Sequence, residues 1–133
     1  MGRTASFEFQ LDGASGVPVY RQLIDQILTA IASGKLAAGD QLPTVRQVAV
    51  DLTINPNTVM RAYRELEIRG ILSTQQGTGT FITEQKVKAG EAQRRRRLSQ
   101  MAGELVARAG AEGFSLEELL EVLRDLQDEH KRR

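Results

Sequence analysis

The alternation of apolar and polar residues divides the chain into short, well-punctuated elements. Phe7, Phe9 and Leu11 alternate with Glu8, Gln10 and Asp12, the period of two that predicts a short half-buried strand. Gly13 and Gly16 interrupt it. From Pro18 the spacing becomes helical: Val19, Tyr20, Leu23, Ile24, Ile27, Leu28 and Ile31 form one wide face, and Gly34 stands where the helix should stop. A loop over 35–42 leads to Leu42-Pro43. Thr44 then begins a second, short helix as its N-cap, with Gln47 three residues on as the other half of a capping box. Its stripe is Val45, Val48, Ala49 and Leu52.

The stretch INPNTVMRAYRELE (54–67) predicts a third helix. Asn55 is a good N-cap, and Pro56 in the first helical position gives up only an N–H that would be orphaned there. At about 100° per residue, Val59, Ala62, Tyr63 and Leu66 share one side, while Asn57, Arg61, Arg64 and Ile68 share the other. After Gly70 the pattern changes again. Residues 71–75 and 79–83 are β-prone and joined through Gln76-Gly77-Thr78, with Leu72, Phe81 and Ile82 as the expected contacts to the helices. Three helices and a hairpin, with a tight turn between the second and third helices, make a winged helix–turn–helix.

From residue 85 the chain has no proline and two helical stripes: Leu98, Met101, Ala102, Leu105, Val106 and Ala109, then Leu116, Leu119, Leu120, Leu123 and Leu126. Ser115 and Glu118 form a second capping box ahead of the latter stripe. Two helices this short cannot bury both stripes by themselves. A second copy of the chain is the simplest cover, which makes Leu98, Met101, Leu105, Leu116, Leu119, Leu120 and Leu123 the expected dimerisation residues. The expected fold is therefore mainly α with a small β wing: a winged helix–turn–helix over 1–84 and a two-helix dimerisation hairpin over 85–133.

Length and composition set limits. The 133 residues hold one small domain and an appendage, and 41% hydrophobic content with no long apolar run argues against a membrane span. Residues 1–9 lack a secretory core, so the expected location is the cytoplasm. The absence of cysteine removes disulfides, thiol nucleophiles and thiolate zinc sites. Net charge is only +1, and residues 1–84 carry seven basic against eight acidic side chains, so attraction to nucleic acid must come from local placement. Arg46, Arg61 and Arg64 against Asp51 supply a local excess of two.

An amide and two guanidiniums on the outer face of a helix suit a major groove. Asn pairs bidentately with adenine, and Arg with guanine or phosphate. The competing reading of that face is an ordinary solvated surface. The four arginines at 94–97 read first as solvated charge, since a helical run spreads them around the axis; a grip on nucleic acid is the alternative. Gly77-Thr78-Gly79 is no dinucleotide cradle, because Ile82 occupies a strand where a third glycine should open a helix. Enzymatic chemistry finds little support. The only histidine, His130, stands among charges near the C-terminus, and no carboxylate pair or metal-ligand spacing stands out. No cofactor is expected. A winged helix used only for protein–protein assembly would call for an apolar face in place of Asn57, Arg61 and Arg64.

The blocks GDQLPTVRQVA (39–49), INPNTVMRAYRELE and GTGTFI (77–82) resemble, in order and spacing, the DNA-binding domain of the GntR family of bacterial transcription regulators. The resemblance covers about residues 17–83, and the two C-terminal helices resemble the YtrA subfamily, in which that region dimerises. It implies a homodimeric regulator of double-stranded DNA, a repressor, bound to a pseudo-palindromic operator. It implies DNA contacts at Arg46, Asn55, Asn57, Thr58, Arg61 and Gly77, to which Thr44 at the cap and Arg64 on the same helix face are added. Met60 stands where some relatives place an arginine. A small-molecule effector is not assigned.

Overall fold

A computed structural model describes residues 7–84 and 90–131, with side chains as far as 128. The chain divides into two compact units, Met1–Gln85 and Lys86–Arg133. His130 and the connecting residues 85–89 fall outside the described side chains.

The first unit contains α1 (Val19–Ala32), α2 (Val45–Leu52), α3 (Pro56–Ile68), β1 (Leu72–Gln75) and β2 (Gly79–Ile82). Its core forms where the apolar stripes meet: Leu23, Ile24, Ile27 and Ala30 of α1, Val48 and Ala49 of α2, and Val59, Ala62, Tyr63 and Leu66 of α3 are all buried. The four α3 residues are those the helical period selects. Both expected caps form. Gln47 N–H donates to Thr44 Oγ1 at 3.0 Å, and Asn57 N–H donates to Asn55 Oδ1 at 2.8 Å. The turn between α2 and α3 passes through Thr53 at φ 55°, a left-handed conformation that disfavours a β-branched residue.

The N-terminal segment departs from expectation. Phe7 and Phe9 are buried edge to face with ring centroids 4.8 Å apart, but no strand forms over 7–11. Side chains of α1 take the backbone groups instead. Gln26 accepts from Gln10 N–H at 2.9 Å and donates to Gln10 C=O at 2.6 Å; Gln22 does the same at Asp12, at 2.8 and 3.0 Å. Two side-chain amides thus stand in for a neighbouring strand. Period-two alternation reports an extended half-buried segment and cannot tell which groups satisfy its backbone.

The wing is antiparallel, with Leu72 opposite Ile82 and Gln75 opposite Gly79. Leu72 and Ile82 face the core. Phe81, expected beside them, is half-buried on the other face, because consecutive strand residues point to opposite sides. The loop before α2 adds a third edge: Ile82 N–H donates to Asp40 C=O at 2.9 Å and Leu42 N–H to Thr80 C=O at 2.8 Å. This pairing fixes the wing to the start of the helix–turn–helix.

Tyr63 ties α3 to α2. Its hydroxyl donates to Pro43 C=O at 2.7 Å, one residue before the Thr44 cap. Burial pushes the phenol pKa well above its ordinary value of about 10. The folded state therefore holds this proton more tightly than the unfolded chain. Its contribution to stability is complete below about pH 10 and is lost as pH rises further. Tyr63→Phe should cost about 1 kcal/mol at neutral pH through the lost hydrogen bond. It should also make thermal stability fall less steeply above pH 10; a decline as steep as the parent's would assign the alkaline loss to other groups.

The second unit is a helical hairpin of α4 (Glu91–Ala111) and α5 (Leu116–Lys131). Gly113, at φ 89°, makes the turn. Glu118 N–H donates to Ser115 Oγ at 3.1 Å, while the serine hydroxyl donates to Glu118 Oε1 at 3.2 Å. No residue of α4 is buried, and only Ala109 on α4 and Leu119 on α5 are half-buried among the described side chains. Leu98 is 58% exposed and Leu116 52%. No helix among the described residues is long and apolar enough to cross a membrane.

Candidate nucleic-acid interface

The exposed side of α3 is made possible by the completeness of its buried side. With Val59, Ala62, Tyr63 and Leu66 in the core, the helix cannot rotate, so Asn57, Arg61 and Arg64 are held outward. They line one wall of an open groove of about 740 Å³, whose other wall includes Thr74 and Thr80 of the wing. Thr44, Arg46, Asn55, Thr58 and Gly77 lie outside this lining. Arg46 is exposed on the first turn of α2, and Thr58 is half-buried at the edge of α3. Gly77 occupies the exposed wing tip at φ 79°.

Capping restricts what two of these residues can do. The Asn55 carbonyl oxygen is engaged by the helix, which leaves its amide N–H groups as donors for an anion. Thr44 likewise accepts through its oxygen and keeps its hydroxyl proton to donate. Both fit phosphate better than a base edge.

Arg61 has a partner that its place on the helical wheel does not reveal. Its guanidinium carbon lies 3.7 Å from the centroid of the Tyr20 ring on α1. Stacking on an aromatic ring uses the face of the guanidinium and leaves the N–H donors along its edge available. The side chain is therefore fixed in direction before it meets a ligand, and part of the entropy of ordering it is already spent. Arg64 has no comparable support among the described residues.

Further residues outside the expected set hold the wing beside α3. Thr74 Oγ1 donates to Glu67 Oε1 at 2.7 Å and lies 3.2 Å from Thr80 Oγ1, which links α3 to both wing strands. Gln41 Nε2 donates to Thr78 C=O at 3.0 Å and braces the wing turn from the loop before α2. A Cβ at Gly79 would collide with that same Gln41 side chain, in a backbone at φ 137°. Tyr20 and Gln41 each act on an element distant in sequence, so local spacing carries no trace of the role.

Chemically, the surface offers donors to anions and to acceptor-rich base edges from one helix, with a hairpin held beside it. Comparisons with known proteins agree with this architecture. The family model described as bacterial regulatory proteins, gntR family, matches residues 19–82. The HTH-type transcriptional repressor YtrA of Bacillus subtilis is 34% identical over 122 residues, covering 92% of this chain and 94% of that protein. YhcF of the same organism, an uncharacterized HTH-type transcriptional regulator, is 46% identical over 70 residues; the match covers 53% of this chain and 58% of YhcF. A crystal structure of a transcriptional antiterminator from Listeria monocytogenes superposes with a TM-score of 0.69 at 27% identity, covering 93% of this chain and 92% of that one.

Proposed function

The chain belongs to the gntR family of bacterial regulatory proteins, and we propose that it acts as a homodimeric repressor that reads a pseudo-palindromic operator with α3 of each protomer. The carrying observation is the amide-and-guanidinium face of α3, exposed on a helix whose opposite side is entirely buried. In this reading α3 lies in a major groove, where Arg61 and Asn57 meet base edges. Arg46, Thr44, Asn55 and Thr58 hold phosphate on either side, and Arg64 extends the contact toward the C-terminal end of the helix. The Gly77 tip approaches the minor groove. The division of labour follows the two units: 1–84 binds DNA and 85–133 dimerises through the exposed leucines of α4 and α5. Repression is occupancy of the operator in the cytoplasm, with no catalytic step.

Selection of bound sites from random duplex DNA with the full chain tests this. An inverted repeat with half-sites about one helical turn apart is expected. Enrichment of a single half-site would remove the dimer from the reading, and no enrichment would remove sequence recognition.

The wing yields a separate expectation. Gly77 sits at a positive φ, where a side chain is disfavoured by about 1–2 kcal/mol. A Cβ there meets nothing within 4 Å in the free chain, so the cost to folding should stop at that backbone term. Gly77→Val should lower operator affinity by more than it lowers stability, since the added methyls meet the DNA backbone. A binding loss no larger than the loss in stability would confine the glycine's role to the turn.

A further inference from the structure

We infer that the four arginines at 94–97 form a second DNA contact, gripping phosphates of the duplex that flanks the site read by α3; this rests on the DNA-binding reading above. All four are exposed and stand in the first two turns of α4, Glu91–Ala111. That position does not serve the helix. Cations near a helix N-terminus oppose its dipole, and Arg94 and Arg97 are like charges three residues apart on one face. Nor does it serve the apolar stripe of the hairpin, which begins only at Leu98.

The charge is polarised along the second unit. From 98 to 133 eight acidic side chains outnumber five basic ones, so the positive charge collects at the end joined to the DNA-binding unit. The six residues 85–90 separate Glu84 from α4 and span at most about 20 Å when extended, less than one turn of duplex. The tether therefore keeps the arginines near whatever DNA the first unit holds.

The first unit also lacks charge for the task. It is formally net −1 over 1–84, yet a protein on DNA must offset closely spaced phosphates. Four consecutive arginines at about 100° intervals cover most of the helix circumference, so one or two face a duplex lying on any side. Guanidinium suits the contact, because its N–H fork matches two phosphate oxygens at once.

The test uses the full chain with Arg94→Gln, Arg95→Gln, Arg96→Gln and Arg97→Gln together, and a second variant with lysine at all four positions. Glutamine keeps helix propensity while removing charge. Affinity is measured between about 50 and 200 mM salt on the selected operator and on a scrambled duplex of equal length, with sedimentation to compare oligomeric state. In the glutamine variant the slope of log K against log salt should become shallower by about 2–4 for a dimer, the equivalent of one or two phosphates per protomer. The fold-loss should be the same on both duplexes, and the lysine variant should keep most of the slope. Trimming the flanks of the operator duplex should make the unsubstituted protein behave like the glutamine variant, a measurement independent of how the variant folds. An unchanged slope with full flanks, as expected if the run instead met an anionic protein or membrane, overturns the inference. So does a loss confined to the operator sequence. Failure of the parent to bind either duplex would be a different result, striking at the DNA-binding reading itself.

Discussion

Arg61→Ala should lower affinity for the selected operator by about 1–3 kcal/mol, roughly 5- to 150-fold, and flatten base preference at one position of each half-site. The Arg61 guanidinium lies over the Tyr20 ring at 3.7 Å, a contact that restrains the side chain beside the groove it lines. A fixed bidentate donor discriminates between bases; a freely rotating cation mainly adds charge. Tyr20→Leu should therefore reproduce part of the loss in discrimination although residue 20 is on another helix, while Tyr20→Phe keeps the ring and should bind like the parent. Binding to single-base variants of the operator, beside binding to scrambled DNA, is the measurement. An equal loss on every sequence would make Arg61 a phosphate contact. An operator affinity unchanged by Arg61→Ala would reduce the stack to a fold-stabilising pair, worth about 0.5–1 kcal/mol at an exposed site.

Truncation after Glu84 should produce a monomer whose affinity for the complete operator falls by about 10²–10⁴-fold, because each half-site must then be bound without help from the other. Its salt dependence should fall to less than half, because the partner's phosphate contacts are lost and the arginines at 94–97 are removed as well. The truncated unit should remain folded. Among the described residues all sixteen buried hydrophobic side chains lie in it, from Phe7 to Ile82, and none in α4. The case for dimerisation rests on the opposite property of the hairpin. Leu98, Met101, Leu105, Leu116, Leu120 and Leu123 are each at least 40% exposed in a single chain. An apolar stripe of this extent, left uncovered, would drive non-specific association, and pairing two copies removes it from water. Sedimentation and operator titration decide the point. A truncated protein that still sediments as a dimer, or binds the full operator as tightly as the parent, refutes the assignment.

What the sequence determined by itself was everything encoded within a few residues. The caps at Thr44 and Asn55 are short-range hydrogen bonds, and the residue types with their spacing suffice to identify them. The buried quartet of α3 follows from helical periodicity, and the outward face that carries Asn57, Arg61 and Arg64 follows from the same geometry. The wing hairpin was legible because Gly77 and its neighbours mark a turn between two β-prone runs. The exposed polar face of α3 was thus visible as a set of residues, though not the contacts that support it.

Only the tertiary structure decided how those residues are supported. Whether Phe7 and Phe9 belong to a strand depended on Gln22 and Gln26 of α1, whose amides reach the backbone from 10 and 16 residues away. The brace from Gln41 to Thr78 spans 37 positions and the anchor from Tyr63 to Pro43 spans 20. Tyr20, read as one more apolar residue of α1, became the platform for Arg61 only when α1 packed against α3. Such contacts leave no periodic pattern, because their partners meet through the packing of whole elements and not through the repeat of one. Local chemistry chose the helices and the side each presents, while packing between distant segments fixed the direction in which the exposed side chains point.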